Sequence, residues 1–369
     1  MNRRSFLIYG GLGLLVLGGG IIVESLYQNN DRMETVPENK EGLLEDDFFY
    51  IIYLASLAPS GHNTQPWTIR IINQNHWILG TEKSRWLPAV DPDNRESLLS
   101  LGAFLENLTI AAGLKGYDVE TAIRTNQPLD SEIIDIKLYR KHKTTNFNVE
   151  EIILRRTIRN NFLKDPLYAE DLRDIISDDR DSFIYYPQDS KEGKYLKTGT
   201  ILANQIQAYR DPAQEELAKW IRWSKTDIRR YMNGLTPETM EIEGIARWYV
   251  ERFYSDKSVM DNSFREATIQ TVQRQVNAGS GWLLFTSKDS SISELIATGR
   301  KLQRMWLKVR SKMIAIHPMT QMLEETPLLT KIAPDLNMNK KVQFLLRVGY
   351  VREYPKPISP RMPLSKIII

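Results

Sequence analysis

The stretch Ala58-Pro59-Ser60-Gly61-His62-Asn63-Thr64-Gln65-Pro66-Trp67 is the most informative part of the sequence. It follows an apolar helical pattern and precedes a β-branched run at residues 68–72, so it is predicted to be a helix-to-strand loop. Such a loop offers small side chains and backbone donors to a ligand. The amides of Asn63 and Gln65 each carry a donor and an acceptor, which suits a planar polar ring. The motif alone fits equally well an Asx turn before a strand, in which Ser60 and Asn63 bond only backbone.

The pattern on both sides of this loop predicts an α+β layer fold, because strands mix with long helices without strict βαβ alternation. Gly116 is predicted to end the longest helix of the first half, and Asn148 with Glu151 is predicted to form a capping box. The predicted helices are residues 46–58, 97–114, a short helix from 149 that runs into 155–159, a mainly helical stretch at 194–252, and 291–314. The predicted strands are residues 67–72, 76–79, 119–124, 133–139, 183–186 and 281–286.

A weak internal repeat links the two halves of the chain. The pattern Leu101-Gly102-x-x-Leu105-Glu106-x-Leu108 recurs as Thr298-Gly299-x-x-Leu302-Gln303-x-Met305. Both copies lie in a helix that follows a strand. The repeat therefore predicts two halves with the same local order of elements.

Composition excludes several classes of chemistry. The 369 residues are 42 % hydrophobic, enough for one large or two domain-sized units. Lys and Arg total 49 and Asp and Glu total 46. The two signs are interspersed, which does not favour a nucleic-acid partner. The chain has no cysteine, so thiolate, disulfide and Fe–S chemistry are excluded. Its four histidines lie far apart in sequence, and no metal site is predicted.

The first residues have the features of an export signal. Asn2-Arg3-Arg4-Ser5-Phe6-Leu7 resembles the start of a twin-arginine signal, and residues 5–23 are uncharged. This run has about the length that a helix needs to cross a bilayer core, and its six glycines make a buried soluble helix a poor alternative. No Ala-x-Ala cleavage pattern precedes Glu24. We therefore predict an uncleaved membrane anchor at residues 1–25, a linker at 26–47, and export by the Tat translocase to the outer, periplasmic face of the cytoplasmic membrane.

Several motifs together resemble one protein family. The ten-residue loop is similar to the A-P-S-x-x-N-x-Q-P-W signature of nitroreductase-family flavoproteins. Further motifs resemble the Acg-like branch of that family: Arg85-x-Leu87-Pro88-x-x-Asp91-Pro92-x-x-Arg95, Gly299-x-x-Leu302-Gln303-Arg304-x-Trp306-Leu307, His317-Pro318-Met319-x-Gln321, Arg347-x-Gly349-Tyr350 and Pro360-Arg361-x-Pro363. The resemblance covers residues 48–369. It implies a nitroreductase-like α+β pseudo-dimer in one chain, with a first half at residues 48–147, a second half at 148–369, and FMN at the interface between them.

The resemblance also implies which residues bind the cofactor. The family's opening R-R-S/T-x-R, which contacts the FMN phosphate and the N1 edge of the ring, is found mid-chain at Arg155-Arg156-Thr157-x-Arg159. Each half lacks one of the two elements, so only one complete FMN site is expected. The residues expected there are Pro59, Ser60, Asn63, Gln65, Arg155, Arg156, Thr157, Arg159 and Arg361. Guanidinium groups suit a phosphate, and a cation such as Arg159 beside N1 would raise the flavin potential. A solvated helix face is the alternative for the arginines.

The implied activity is NAD(P)H-driven reduction of nitroaromatic or quinone-type acceptors through FMN, with no catalytic side-chain acid or nucleophile. A different class of function is a flavin-binding or flavin-sequestering protein in which a lid excludes nicotinamide. A third is a purely structural membrane-anchored domain. Trp220, Trp223 and Trp248 fit either a lid or the core.

Overall fold

The computed structural model describes residues 44–142 and 145–369, so the predicted anchor and nearly all of the predicted linker lie outside the described residues. The helices are α1 Asp46–Ala55, α2 Arg95–Leu114, α3 Val149–Leu154, α4 Ala169–Ile175, α5 Lys191–Tyr209, α6 Asp211–Trp220, α7 Lys225–Tyr231, α8 Gly244–Phe253, α9 Asp256–Val259, α10 Asn262–Gln275, α11 Ile292–Lys308, α12 Gln321–Glu324 and α13 Thr326–Asp335. The strands are β1 Trp67–Asn73, β2 His76–Thr81, β3 Tyr117–Ile123, β4 Glu132–Arg140, β5 Phe183–Pro187, β6 Gly281–Ser287, β7 Ile314–Pro318 and β8 Lys341–Tyr350.

The strands form two four-stranded sheets with the same topology. One has the order β1-β2-β4-β3 and the other β5-β6-β8-β7, and the paired strands in both are antiparallel. A long helix follows the second strand of each sheet along the chain: α2 connects β2 to β3, and α11 connects β6 to β7. The predicted α+β fold is confirmed, and both sheets are antiparallel and flanked by helices. The strands of one sheet precede residue 148 in the sequence, and those of the other follow it.

The helices α2 and α11 pack against each other at the two glycines of the sequence repeat. A Cβ atom at Gly102 would lie 2.2 Å from the carbonyl oxygen of Ile296, and one at Gly299 would lie 2.0 Å from that of Leu99. Only glycine allows the backbones to approach this closely. Helix α2 is long and apolar enough to span a membrane, but 89 % of its apolar window is buried in the fold, as in a core helix.

Two predicted helices extend at least five residues beyond their observed ends. The helix predicted for residues 291–314 ends at Lys308, and Ile314 begins strand β7, which pairs with β8. Between them the chain reverses at Met313, whose φ is 54°. A short apolar run such as Ile314-Ala315-Ile316 fits a helix or a strand equally well, and pairing with a distant strand decides it. Helix α3 stops at Leu154, so residues 155–159 are not helical.

The C-terminal segment of the chain returns from the second half to the first sheet. The backbone N–H of Ile69 in β1 donates to the carbonyl of Ile367 at 2.8 Å, and that of Ile369 donates to the carbonyl of Ile69 at 2.9 Å. This crossing carries Arg361 to the loop at residues 58–65, where its guanidinium donates to the carbonyl of Ala58 at 2.8 Å.

Candidate functional site

A cavity of about 340 Å³ lies where residues of both halves meet. Eight of the nine residues predicted to bind the cofactor line it: Pro59, Ser60, Asn63, Arg155, Arg156, Thr157, Arg159 and Arg361. The remaining walls come from α1 and its end, the loop at residues 58–67, α3, the segment 232–239 and the C-terminal segment: Tyr53, Ser56, Leu57, His62, Ile152, Ile153, Met232, Leu235, Thr239, Pro357, Ile358, Ser359, Met362, Pro363 and Leu364. The fold thus brings together residues that are up to 302 positions apart in the sequence, from Pro59 to Arg361.

The loop that enters the cavity has an unusual backbone. His62, Asn63 and Gln65 have φ values of 45°, 54° and 53°. A residue other than glycine in this left-handed region destabilises the folded state by about 1–3 kcal/mol, and such residues cluster at functional sites. The hydroxyl of Ser60 stabilises the turn by accepting a hydrogen bond from the backbone N–H of Gln65 at 3.0 Å.

The two predicted ring-binding amides bond protein backbone. Asn63 donates to the carbonyls of Gly234 at 3.1 Å and Pro360 at 3.0 Å. Gln65 is fully buried, donates to the carbonyl of Met232 at 3.0 Å, and accepts from the backbone of Met362 at 2.9 Å. Gln65 does not line the cavity. Asn63 also accepts a hydrogen bond from the guanidinium of Arg361 at 3.4 Å. Both amides therefore fix the position of two distant segments against the loop, mainly through backbone groups as in the Asx-turn alternative.

We call residues 232–243 the cap, because Met232, Leu235 and Thr239 line one side of the cavity. The backbone N–H of Gly234 donates to the carbonyl of Asn63 at 3.0 Å, which completes a reciprocal pair with the Asn63 amide. No sequence motif marks a particular residue as part of a lid. In the structure, Met232, Leu235 and Thr239 of the cap cover one side of the cavity.

The three tryptophans that fit either a lid or the core do not line the cavity. Trp220 and Trp223 are buried among other side chains, whereas the side chain of Trp248 is 57 % exposed.

Arg155 is a buried cation, and the solvated-helix alternative is wrong for it. Its guanidinium donates to the carbonyl of Leu57 at 3.0 Å and lies 5.1 Å from the centre of the Trp306 ring. Burial lowers the pKa of Arg155 to about 10, which still leaves it charged at neutral pH. Arg361 approaches the same turn from the C-terminal segment and donates to the carbonyl of Leu57 at 3.0 Å.

Arg156 and Arg159 meet the carboxylate of Glu241 in the cap. Glu241 accepts from the backbone N–H of Arg159 at 3.1 Å and of Asn160 at 2.7 Å, and lies 3.4 Å from the guanidinium of Arg156. Arg159 also donates to the carbonyl of Thr239 at 2.7 Å. No sequence motif marks Glu241, because it lies in the insertion between β5 and β6 and its partners are about 80 residues away.

His62 is a second site residue that the sequence did not single out. Burial, with a further contribution from the charge of Arg159, lowers its pKa to about 4, so the imidazole that lines the cavity is neutral at physiological pH. Its position inside the ten-residue motif was the available signal.

Several buried polar atoms at the cavity have no hydrogen-bond partner within residues 44–142 and 145–369: Nδ1 of His62, and Nε of Arg155 and Arg156. An unsatisfied buried donor costs about 1–3 kcal/mol, and it indicates a missing partner. Four guanidiniums beside a neutral imidazole and apolar walls fit a ligand with an anionic end and a planar polar body. In the same described ranges no group of three or more His, Asp or Glu side chains could hold a metal ion.

The position equivalent to this loop in the second half is occupied by ion pairs. The segment 176–182 connects α4 to β5, as residues 56–66 connect α1 to β1. There Asp178 pairs with Lys308 at 2.6 Å and Asp179 pairs with Lys301, both lysines being on α11. The two halves therefore differ at this position: the loop of the first half lines the cavity, whereas the corresponding segment of the second half forms ion pairs with α11.

Fold and site together define a pseudo-symmetric α+β protein with a cationic cavity between its halves. No family model matches the chain. The chain is 26 % identical over 331 residues to a Mycobacterium tuberculosis protein named NAD(P)H nitroreductase acg, covering 86 % of this chain and 93 % of that one. It is 22 % identical over 350 residues to a protein of Serratia sp. named NAD(P)H nitroreductase PigM, covering 86 % of this chain and 91 % of that protein. Among solved structures, the FMN-dependent nitroreductase NfnB of Mycobacterium smegmatis in complex with NADPH aligns with a TM-score of 0.37 at 14 % identity, over 59 % of this chain and 94 % of NfnB.

Proposed function

We propose that the chain is an FMN-dependent oxidoreductase of the nitroreductase type, which uses NAD(P)H to reduce small aromatic acceptors such as nitroaromatics or quinones. The observation that carries the proposal is the cavity, in which eight predicted cofactor-binding residues from both halves converge. The similarity to proteins named NAD(P)H nitroreductases over 86 % of the chain supports it.

The residues of the chain fit FMN at both ends of the cofactor. Arg155, Arg156 and Arg361 supply fixed guanidiniums for the phosphate, and two of them have an unsatisfied buried Nε. Arg159 and neutral His62 supply a cation and a neutral hydrogen-bonding group for the polar ring. When bound, FMN supplies the hydride chemistry, and the protein supplies orientation and electrostatics.

The cap favours a second candidate function, a flavin-binding protein with little reductase activity. Asn63 and Gln65 bind the cap to the loop, and Glu241 binds it to Arg156 and Arg159. These contacts restrict access to the cavity from that side. A closed cap would bind flavin and exclude a bulky nicotinamide donor.

The first prediction tests both functions with one sample. Purified protein is expected to contain close to one FMN per chain, because one cavity has the loop and the arginines while ion pairs occupy the equivalent position. Flavin absorbance against protein concentration measures the ratio. Adding NADPH without oxygen should bleach the flavin if the cap admits the donor.

No flavin, or two FMN per chain, would contradict the single-site proposal. One FMN that NADPH does not bleach, while dithionite does, would favour the flavin-binding function over the reductase.

We also propose that the fold is anchored in the cytoplasmic membrane by residues 1–25 and faces outward. The support is the Arg3-Arg4 pair followed by the uncharged run at 5–23. Twin-arginine export carries folded proteins, which suits a cofactor that is inserted before translocation.

The second prediction tests this location. Replacing Arg3 and Arg4 together with lysine should leave a folded, FMN-loaded protein on the cytoplasmic side, because the signal no longer directs export. Protease added to intact spheroplasts should then cleave the native fold but not the variant. Equal protection of the two proteins would show that the segment is only an inward-facing tether.

A further inference from the structure

Helix α8 exposes its apolar side to solvent. Ile245 is 68 % exposed, Trp248 57 % and Phe253 58 %, whereas Val250, which lies outside the arc that these residues form, is buried. At about 100° per residue, Trp248, Ile245, Tyr249 and Phe253 lie on one continuous arc of the helix. A surface helix of a soluble domain normally turns its apolar side toward the core and its polar side toward solvent.

The aromatic side chains of this arc pack against each other on the surface. The ring centres of Trp248 and Phe253 are 5.9 Å apart, and those of Tyr249 and Phe253 are 5.0 Å apart. Arg252 lies within the arc and is exposed. Aromatic and aliphatic side chains with a cation among them are typical of helices that lie in the lipid headgroup region.

We propose that this face of α8 rests on the surface of the membrane that carries the chain; the proposal depends on the anchor proposed above. Residues 24–43 separate the uncharged run from the described fold, and such a linker spans at most about 70 Å when fully extended. The fold is therefore confined near the bilayer. A tether of this kind raises the effective concentration of lipid at the fold, so that a single weakly binding helix suffices.

Docking of α8 fixes the orientation of the cap. The guanidinium of Arg247 pairs with Glu238 of the cap at 3.2 Å, and α8 begins directly after the cap ends at residue 243. Resting α8 on the bilayer therefore places the cap beside the lipid surface.

The experiment uses the absence of cysteine, which makes single-site labelling direct. The full chain with Ile245→Cys carries a nitroxide label and is reconstituted into phosphatidylcholine–phosphatidylglycerol vesicles. Leu202→Cys on α5, also at an exposed apolar residue, is the matched control. We expect the label at 245 to become more accessible to oxygen, which partitions into lipid, and less accessible to a water-soluble nickel complex. The label at 202 should not change in this way. Phe253→Cys repeats the test, and FMN content checks that each variant is folded.

Equal accessibility at 245 and 202 in protein that floats with the vesicles overturns the docking face and leaves the anchor intact. A chain that does not float with vesicles overturns both. Spin–spin broadening at 245 that grows with protein density and needs no vesicles identifies a second copy of the chain as the occupant, which also overturns the proposal.

Discussion

Replacing Arg155 with alanine is expected to weaken FMN binding by roughly ten- to a hundredfold. A hydrogen bond to a charged group contributes about 1.5–3 kcal/mol, and each 1.4 kcal/mol corresponds to a factor of ten in affinity. Arg155 is buried, so little water competes for its guanidinium, and its Nε has no partner in the described part of the chain. Titration of the flavin-free protein with FMN, followed by flavin fluorescence, measures the change.

The same substitution also removes a structural contact, which the design has to separate from cofactor binding. Arg155 donates to the carbonyl of Leu57 and stacks on Trp306, so its loss should lower the free energy of unfolding as well. Arg155→Lys keeps the charge but loses the planar fork of the guanidinium, and an intermediate affinity is expected.

The matched control is Arg229→Ala on the exposed surface of α7, which changes the net charge by the same amount. An equal loss of affinity in the Arg229 and Arg155 variants would mean that long-range charge, and not the site, controls binding. Unchanged affinity in the folded Arg155 variant would remove this residue from the phosphate site.

The sequence predicted the elements whose signals are local. The capping box of Asn148 and Glu151 is present, and Gly116 ends helix α2 with a φ of 76°. The hairpin of β1 and β2 was predicted from a β-branched run and a short polar turn. Each of these signals lies within a few residues of the feature that it predicts, so distant packing does not have to be known.

The parts that were missed depend on contacts between distant segments. Strand β7 is defined by pairing with β8, and the contacts of Glu241 with Arg159 and Asn160 join segments about 80 residues apart. Eight residues that line the cavity could be predicted because short sequence motifs contain them. The bonding of Asn63 to Gly234 was not accessible, because an amide fits a ligand ring and a backbone carbonyl equally well.

Gly299→Ala is expected to destabilise the fold by about 1–3 kcal/mol or more, the usual cost of overpacking a core. The added Cβ would lie 2.0 Å from the carbonyl oxygen of Leu99 and 3.0 Å from the Cα of Gly102. These are backbone atoms of α2 and cannot rotate away, so the two helices have to separate. The gain in helix propensity, up to about 1 kcal/mol, offsets only part of this cost.

Separation of α2 and α11 should also affect the cofactor, because these helices join the two halves that form the cavity. The Gly299 variant is therefore expected to lose FMN at a lower urea concentration than the native chain, with flavin release and unfolding in one transition. Ser293→Ala, at an exposed position of the same helix, is the matched control and should change neither. A Gly299→Ala variant that is as stable as the native chain would contradict this prediction. It would mean that the backbones of α2 and α11 leave room for a Cβ atom at residue 299. Unfolding of the variant in two steps, with flavin lost first, would instead show that the cavity opens before the helix pair separates.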